Sequence, residues 1–339
     1  MSLTQMLKRG ADTLLEATVV PSFTRVGPFV RRRMFDWADG EPDLIGRVVM
    51  LTGATSGLGR VAATEIAAAG ATLVIVGRDE SRTSATAAEL RSETGNPSVT
   101  HLLADLADFD AVRSIAEQFR QSHDRLDALV HNAGALLADH TVGPSGVEVT
   151  AASQVAGPFL LTGLLLDRLV AASPGRVITM SSGGMYTQPL SVDGLEPSAD
   201  DYRGTVAYAR AKRAQVTLNE MWPVELEALG VPRERVVFHA MHPGWADTPG
   251  VRASLPTFAK VVGPLLRTPE EGADTLVWLA ADDGEPLDTT GAFWLDRERR
   301  PIHRLRSTRR SDTPERRRRL WQWAQRTSGW SLAEDALFS

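Results

Sequence analysis

The sequence predicts an α/β protein built on one doubly wound, mostly parallel sheet of about seven strands with helices on both faces. Three observations predict it. Short apolar runs alternate with longer stretches of helical periodicity. The runs are continuously apolar rather than alternating, as in strands covered on both faces. The first run leads through a glycine-rich loop into an alanine-rich helix, Val61 to Ala69.

The strands follow in order. Val48-Val49-Met50-Leu51 is the first run and Leu73-Val74-Ile75-Val76 the second. Val99 to Leu103 is a weaker third, Leu126 to Val130 a fourth and Arg176 to Met180 a fifth. Val236 to Met241 and Ala292 to Leu295 complete the set. Helical patterns lie near 58–69, 81–93, 109–122, 150–171, 206–229 and 269–281. Ligands of such sheets bind outside the carboxyl ends of the strands, so functional residues are expected just after each run. Flanking this domain, about residues 46–296, are an N-terminal helical and basic extension (1–45) and an arginine-rich tail (297–339).

Composition narrows the function. Hydrophobic residues at 43% and charged residues at 23% are ordinary globular values. A net charge of −5 gives no general attraction to nucleic acid. With no cysteine, disulfides, thiolate metal sites and cysteine nucleophiles are excluded, which suits a cytoplasmic protein. Met1 to Gly10 lacks the basic-then-apolar order of a secretory signal. The histidines His101, His123, His131, His140, His239, His242 and His303 form no metal-ligand spacing, so no metal is expected. Arg316 to Arg319, ahead of Trp321 and Trp323, read as a solvated helix face balanced by Asp312 and Glu315 rather than a nucleic-acid or membrane patch.

The chemistry-bearing residues follow the strands. After strand one, Thr52-Gly53-Ala54-Thr55-Ser56-Gly57-Leu58-Gly59 lets backbone approach a pyrophosphate, and the helix behind it supplies free N–H groups and partial positive charge. At the end of strand two, Gly77 stands where an acid would bond the ribose 2′-hydroxyl of NAD, and Arg78 follows. An arginine fork suits a 2′-phosphate, favouring NADP(H) over NAD(H); Asp79 remains the alternative ribose contact. Tyr208 and Lys212 are four apart on an expected helix and share one face. An adjacent ammonium favours the phenolate, so Tyr208 is a candidate general acid and base.

These stretches together resemble the short-chain dehydrogenase/reductase family, over roughly residues 46 to 296. The loop reads T-G-x-x-x-G-x-G, Asn132-Ala133-Gly134 is N-A-G, Tyr208 to Lys212 is Y-x-x-x-K, and Pro243-Gly244 to Thr248 is P-G-x-x-x-T. The tracts Val177 to Met185, Met241 to Arg252 and Thr268 to Thr275 are more narrowly similar to the dehydrogenase/reductase SDR member-twelve type, whose substrate is poorly defined. The resemblance implies a Rossmann-like fold, a nicotinamide cofactor and a small-molecule carbonyl or alcohol substrate. It implies that Asp105-Leu106 contacts the adenine and that Pro243, Gly244 and Thr248 flank the nicotinamide. It also makes Ser182, with Ser181 as runner-up, the serine that bonds the reacting oxygen. Matching Gly157 to Thr162 onto the family puts Gln154 where an asparagine usually holds a water linked to the lysine.

Between Ser182 and Tyr208 the loop Gly183 to Ala207 is long and partly apolar, through Met185, Tyr186, Pro189, Leu190, Val192 and Leu195. It suggests a bulky, hydrophobic substrate, with packing on the protein as the equal alternative. A non-catalytic nucleotide sensor is the second reading of the chain. A homo-oligomer and a peripheral membrane contact through residues 1–45, around Phe29, Arg31 to Arg33, Phe35 and Trp37, stay open. Removing residues 1–45 is expected to leave cofactor binding intact.

Overall fold

A computed structural model describes residues 3–37, 40 and 42–333, so residues 1–2, 38–39, 41 and 334–339 of the two extensions lie outside the description. The described residues form one eight-stranded sheet in the order β3-β2-β1-β4-β5-β6-β7-β8. The strands are β1 Val48–Thr52, β2 Thr72–Gly77, β3 Val99–Leu103, β4 Ala128–His131, β5 Gly175–Met180, β6 Val236–Met241, β7 Ala292–Leu295 and β8 Glu298–Arg299. The first seven pair in parallel, and β8 returns antiparallel to β7. Seven strands match the expectation; β8 adds one, because two residues carry no readable periodicity.

The continuous apolar runs are explained by the pleat. Met50, Val74, Leu129, Val177 and Phe238 face one core with Ile115, Phe119, Phe159, Leu160 and Leu218. Their neighbours Val49, Leu51, Leu73, Ile75, Val130 and Ile178 face another with Ala62, Ile66 and Leu276. The stretch expected as one helix over 150–171 is instead Val149–Ala151, a π-turn Ala152–Ala156, then Gly157–Leu164 and Leu166–Ala172. Pro158 lacks the N–H that would bond the Gln154 carbonyl. That carbonyl accepts from Gln215 Nε2 at 2.6 Å instead. The short helices Pro249–Ser254 and Pro256–Val262 are too brief for periodicity to register.

Both extensions pack on the sheet domain. In the helix Pro314–Ser328, Leu320, Trp321 and Trp323 enter the first core. Arg317 on the same helix pairs with Asp312 and Glu220 at 2.5 and 2.6 Å. The N-terminal helix Leu3–Ala17 is inverted: it buries Asp12 and Glu16 and exposes Met6, Leu7 and Leu14. Its acids meet Arg31, which has no exposed surface. Arg31 donates to Asp12 at 2.6 Å, Glu16 at 2.8 Å and Asp296 at 2.6 Å. Asp296 also takes two bonds from buried Arg267, at 2.5 and 2.9 Å. Arg300 bonds Asp12, and Arg304 bonds Glu16. Removing one member of such a network leaves an unpaired buried charge, at a cost of about 3–5 kcal/mol.

Asp296 and Arg297 form the two-residue turn between β7 and β8, both left-handed at φ 54° and 56°. The ion pairs of Asp296, and those of Arg297 with Asp274 at 2.7 and 2.9 Å, hold this unfavourable backbone. Among the described residues no single helix is long and apolar enough to cross a membrane. A bent pair, Val149–Leu164 with Leu166–Ala172, has the length and composition, and its apolar side chains lie in the first core.

Candidate active site

The ligand crevice of a doubly wound sheet lies past the carboxyl ends of its strands where their order reverses, which here is between β1 and β4. The glycine loop after β1 folds tightly on itself. A Cβ at Gly59 would stand 2.1 Å from the Gly53 carbonyl oxygen. Asn132 holds the loop from β4, its Nδ2 donating to the carbonyls of Thr52 and Gly53 at 3.0 Å. The amides of Asn132 and Ala133 both donate to Thr52 Oγ1 at 3.1 Å. Leu58 packs against Gly272, and Thr55 is half-buried.

The front of the loop is open. Gly57 starts the helix Gly57–Ala68 at φ +55°, and a Cβ there would meet only Thr248, at 3.5 Å. Ser56 is exposed and makes no side-chain cap bond, so the first-turn amides have no side-chain partner. Thr248 faces them, its Oγ1 accepting from Val251 N at 3.2 Å. Free first-turn amides at a helix N-terminus suit an anionic group such as a pyrophosphate.

After β2, Arg78 is exposed and has no ion pair among the described residues. Asp79 instead caps the helix Glu80–Thr94, accepting from Arg82 N at 2.8 Å. Asp105 is half-buried and accepts from Ala107 N at 2.9 Å, while Leu106 belongs to the core.

Tyr208, Lys212 and Ser182 come together. The helix Gly204–Ala228 places the first two one turn apart, with Lys212 Nζ 5.3 Å from the Tyr208 ring centre. Burial raises Tyr208 above its ordinary value, opposed by a side-chain hydrogen bond with Ser182. Lys212 is buried and donates to the Met180 carbonyl at 2.8 Å; burial lowers it from 10.5 to about 7. Ser182 accepts from Gly184 N at 3.2 Å. Ser181 points the other way, bonding the Lys212 carbonyl at 3.2 Å, which ties β5 to the helix.

Gln154 shares this region. A Cβ at Gly134 would lie 3.0 Å from Gln154 Oε1 and 3.3 Å from Lys212 Nζ. The Gln154 side chain donates to the Ala135 carbonyl at 2.8 Å, and its buried Oε1 has no partner among the described residues. Its backbone carbonyl accepts from Gln215 Nε2 at 2.6 Å.

The Pro243-Gly244 loop rests on His242, whose Nδ1 accepts from Gly244 N at 3.2 Å. Burial keeps His242 far below its ordinary value, helped by Arg267, Arg300 and Arg31, so it stays neutral. In the long loop after Ser182, Met185, Tyr186, Leu190, Val192 and Leu195 are all buried. Its apolar residues pack in the protein, which is the alternative held open above. Apolar surface near the cleft comes instead from Trp245, Val251, Leu255 and Phe258, half-buried around the helices Pro249–Ser254 and Pro256–Val262. Ser254 on the first of these reaches the Leu136 carbonyl at 3.3 Å. Sequence patterns carried no sign of Gln215, Phe23 or Arg267, whose parts depend on tertiary packing.

Comparison with known proteins bears on the family and the fold. A family model described as short chain dehydrogenase matches residues 47–257. Dehydrogenase/reductase SDR family member 12 of Bos taurus is 38% identical over 282 residues, covering 83% of this chain and 86% of that protein. Retinol dehydrogenase 13 of Homo sapiens is 32% identical over 259 residues, covering 74% and 76%. Among solved structures, a short chain dehydrogenase from Escherichia coli CFT073 complexed with NADPH aligns with TM-score 0.62 at 25% identity, covering 76% of this chain and all of that one.

Proposed function

The chain belongs to the short-chain dehydrogenase family of oxidoreductases, and from that premise we propose that it moves a hydride between NADP(H) and a carbonyl or alcohol substrate, with Tyr208 as general acid and base. The observation that carries the reading is the meeting of Ser182, Tyr208 and Lys212 beside an open anion-binding loop.

The cofactor, when bound, supplies or accepts the hydride. Its pyrophosphate suits the loop Gly53, Thr55, Ser56, Gly57, Leu58 and Gly59 and the facing Thr248. Arg78, exposed and unpaired among the described residues, suits a 2′-phosphate, while the Asp79 carboxylate is engaged as a helix cap. Asp105 and Leu106 border the adenine end; Asn132, Ala133 and Gly134 back the loop; Pro243 and Gly244 border the nicotinamide end. In reduction, the Tyr208 hydroxyl donates its proton to the substrate oxygen, and Ser182 hydrogen-bonds that same oxygen. The Lys212 ammonium stabilises the phenolate left behind, and Gln154 sets the polar surroundings of that ammonium through Gly134. Trp245, Val251, Leu255 and Phe258 favour a hydrophobic substrate.

Turnover of NADPH and NADH with a panel of aldehydes, ketones, steroids and retinoids tests the reading. NADPH oxidation with at least one carbonyl is expected. Tight NADPH binding without turnover across the panel would favour a nucleotide sensor on the same fold. Equal or tighter NADH binding would remove the NADP assignment.

A peripheral membrane contact through residues 1–45 is supported by the inverted helix Leu3–Ala17, whose exposed face carries Met6, Leu7 and Leu14. Flotation with anionic vesicles checks it: Leu7→Asp should abolish co-flotation, and no co-flotation of the wild type would end that reading.

A further inference from the structure

Phe23 lies in the N-terminal segment, yet it sits directly behind the catalytic side of the cleft. Its ring is buried and packs 4.5 Å from the His242 ring and 5.7 Å from Trp245. The same ring closes on the residue after Ser182: a Cβ at Gly183 would stand 2.7 Å from a Phe23 ring carbon. Its carbonyl accepts from Trp245 N at 2.7 Å and from Arg267 Nε at 3.0 Å.

Arg267 carries the connection further. Its backbone brackets the loop, with Arg267 N donating to the Trp245 carbonyl at 2.8 Å and Asp247 N donating to the Arg267 carbonyl at 2.9 Å. Its side chain grips the Ser22 carbonyl at 2.6 Å and the Thr24 carbonyl at 3.2 Å, and ends on Asp296. Arg31 binds the other side of Asp296 and also bonds Ser22 Oγ at 2.9 Å. The segment is therefore clamped at both ends of Phe23, and Phe23 touches both loops that border the nicotinamide end. Among the described residues, Phe23, Arg31 and Arg267 make no hydrogen bond, ion pair or ring contact with the glycine loop or Arg78.

We propose that Phe23 is a positioning residue for the reaction: held by Arg31 and Arg267, it sets the loop after Ser182 and the loop Pro243 to Thr248 for the nicotinamide half of the cofactor. The proposal rests on the NADP reading above. It replaces the expectation that residues 1–45 can be removed with cofactor binding intact. A packed aromatic ring that fixes two loop backbones removes conformational freedom that binding would otherwise have to restrict. The adenine half, built on β1 to β4, is independent of it.

The experiment uses the full chain with Phe23→Ala and Phe23→Leu, and two ligands. Adenosine 2′,5′-bisphosphate reaches only the adenine half, while NADPH spans both. Phe23→Ala is expected to bind the bisphosphate as the wild type does and NADPH at least tenfold more weakly, with Phe23→Leu recovering most of the loss. Hydrogen exchange without any cofactor should accelerate at residues 183–186 and 243–248 and stay unchanged in β1 and β4. A parallel loss for both ligands, with exchange faster throughout, would show a purely structural role and overturn the proposal. Unchanged NADPH affinity in Phe23→Ala would overturn it as well. If the wild type binds neither ligand, the NADP reading itself falls and takes the proposal with it.

Discussion

The glycine loop after β1 and the loops after β5 and β6 line one cleft, but they are supported over very different spans of chain. The first is held from β4 by Asn132 and Ala133, at most 81 residues away. The second pair is braced by Phe23 through Arg267, 244 residues apart, and by Arg31 through Asp296, 265 residues apart. The nucleotide side is thus made mainly of backbone in a contiguous motif. The catalytic side is made of side chains, and its brace comes from outside the region that the family model matches. Damage to the two sides should separate into distinct kinetic signatures.

The largest effect is expected on the catalytic side. Tyr208→Phe keeps the ring and removes the hydroxyl, and should lower turnover by about 100- to 10,000-fold while NADPH affinity stays near wild type. Single-turnover NADPH oxidation with any substrate from the panel measures it. Full activity in this variant would remove Tyr208 from the mechanism.

Arg78→Ala strikes the other side. Losing a charge-assisted contact of about 1.5–3 kcal/mol should weaken NADPH binding roughly tenfold to a hundredfold, with NADH unaffected. Equal loss for both cofactors would place Arg78 away from the 2′-phosphate.

Lys212 gives a pH test. Its ammonium is disfavoured by burial, which lowers it to about 7, so between pH 7 and its ordinary 10.5 the unfolded chain binds a proton that the native chain does not. Stability therefore gains a positive slope with pH across that window. Lys212→Met should flatten the slope in denaturant titrations at several pH values. In catalysis, loss of the ammonium as pH rises through about 7 leaves Tyr208 a weaker acid, so carbonyl reduction should decline there.

Ser181→Ala should do least. It breaks one bond to the Lys212 carbonyl, costing about 0.5–1.5 kcal/mol of stability with turnover within a fewfold of wild type. Ser182→Ala, one residue on, should slow turnover far more. A reversal of that order would exchange the two roles.

The same asymmetry governs what the sequence made legible. Seven strands, the glycine loop, Arg78 and the Tyr208–Lys212 spacing are local patterns, and local patterns survive in a linear string. The Ser182 assignment rests on a resemblance rather than on a local pattern. The long loop misled in part, because composition does not say which way Leu190 or Leu195 faces, and both are buried. Asp12 and Glu16 carry no sign of burial in the sequence. Their burial depends on Arg31, Arg300 and Arg304, and no periodicity joins residues that far apart. For Gln154, only the structure reveals that Pro158 leaves its carbonyl to accept from Gln215.

The bonds of Asp12 and Glu16 to Arg300 and Arg304 span 288 residues of chain. On the ribosome, the arginine partners follow those acids by 288 residues. Until those arginines are made, the helix Leu3–Ala17 carries its acids without their final neighbours. Closing so long a loop is slow and entropically unfavourable until the sheet has already brought the two ends near each other. The strands β1 to β4 can thus pair as they emerge, whereas the brace behind the loops after β5 and β6 is completed only when the segment around Arg300 meets the helix Leu3–Ala17.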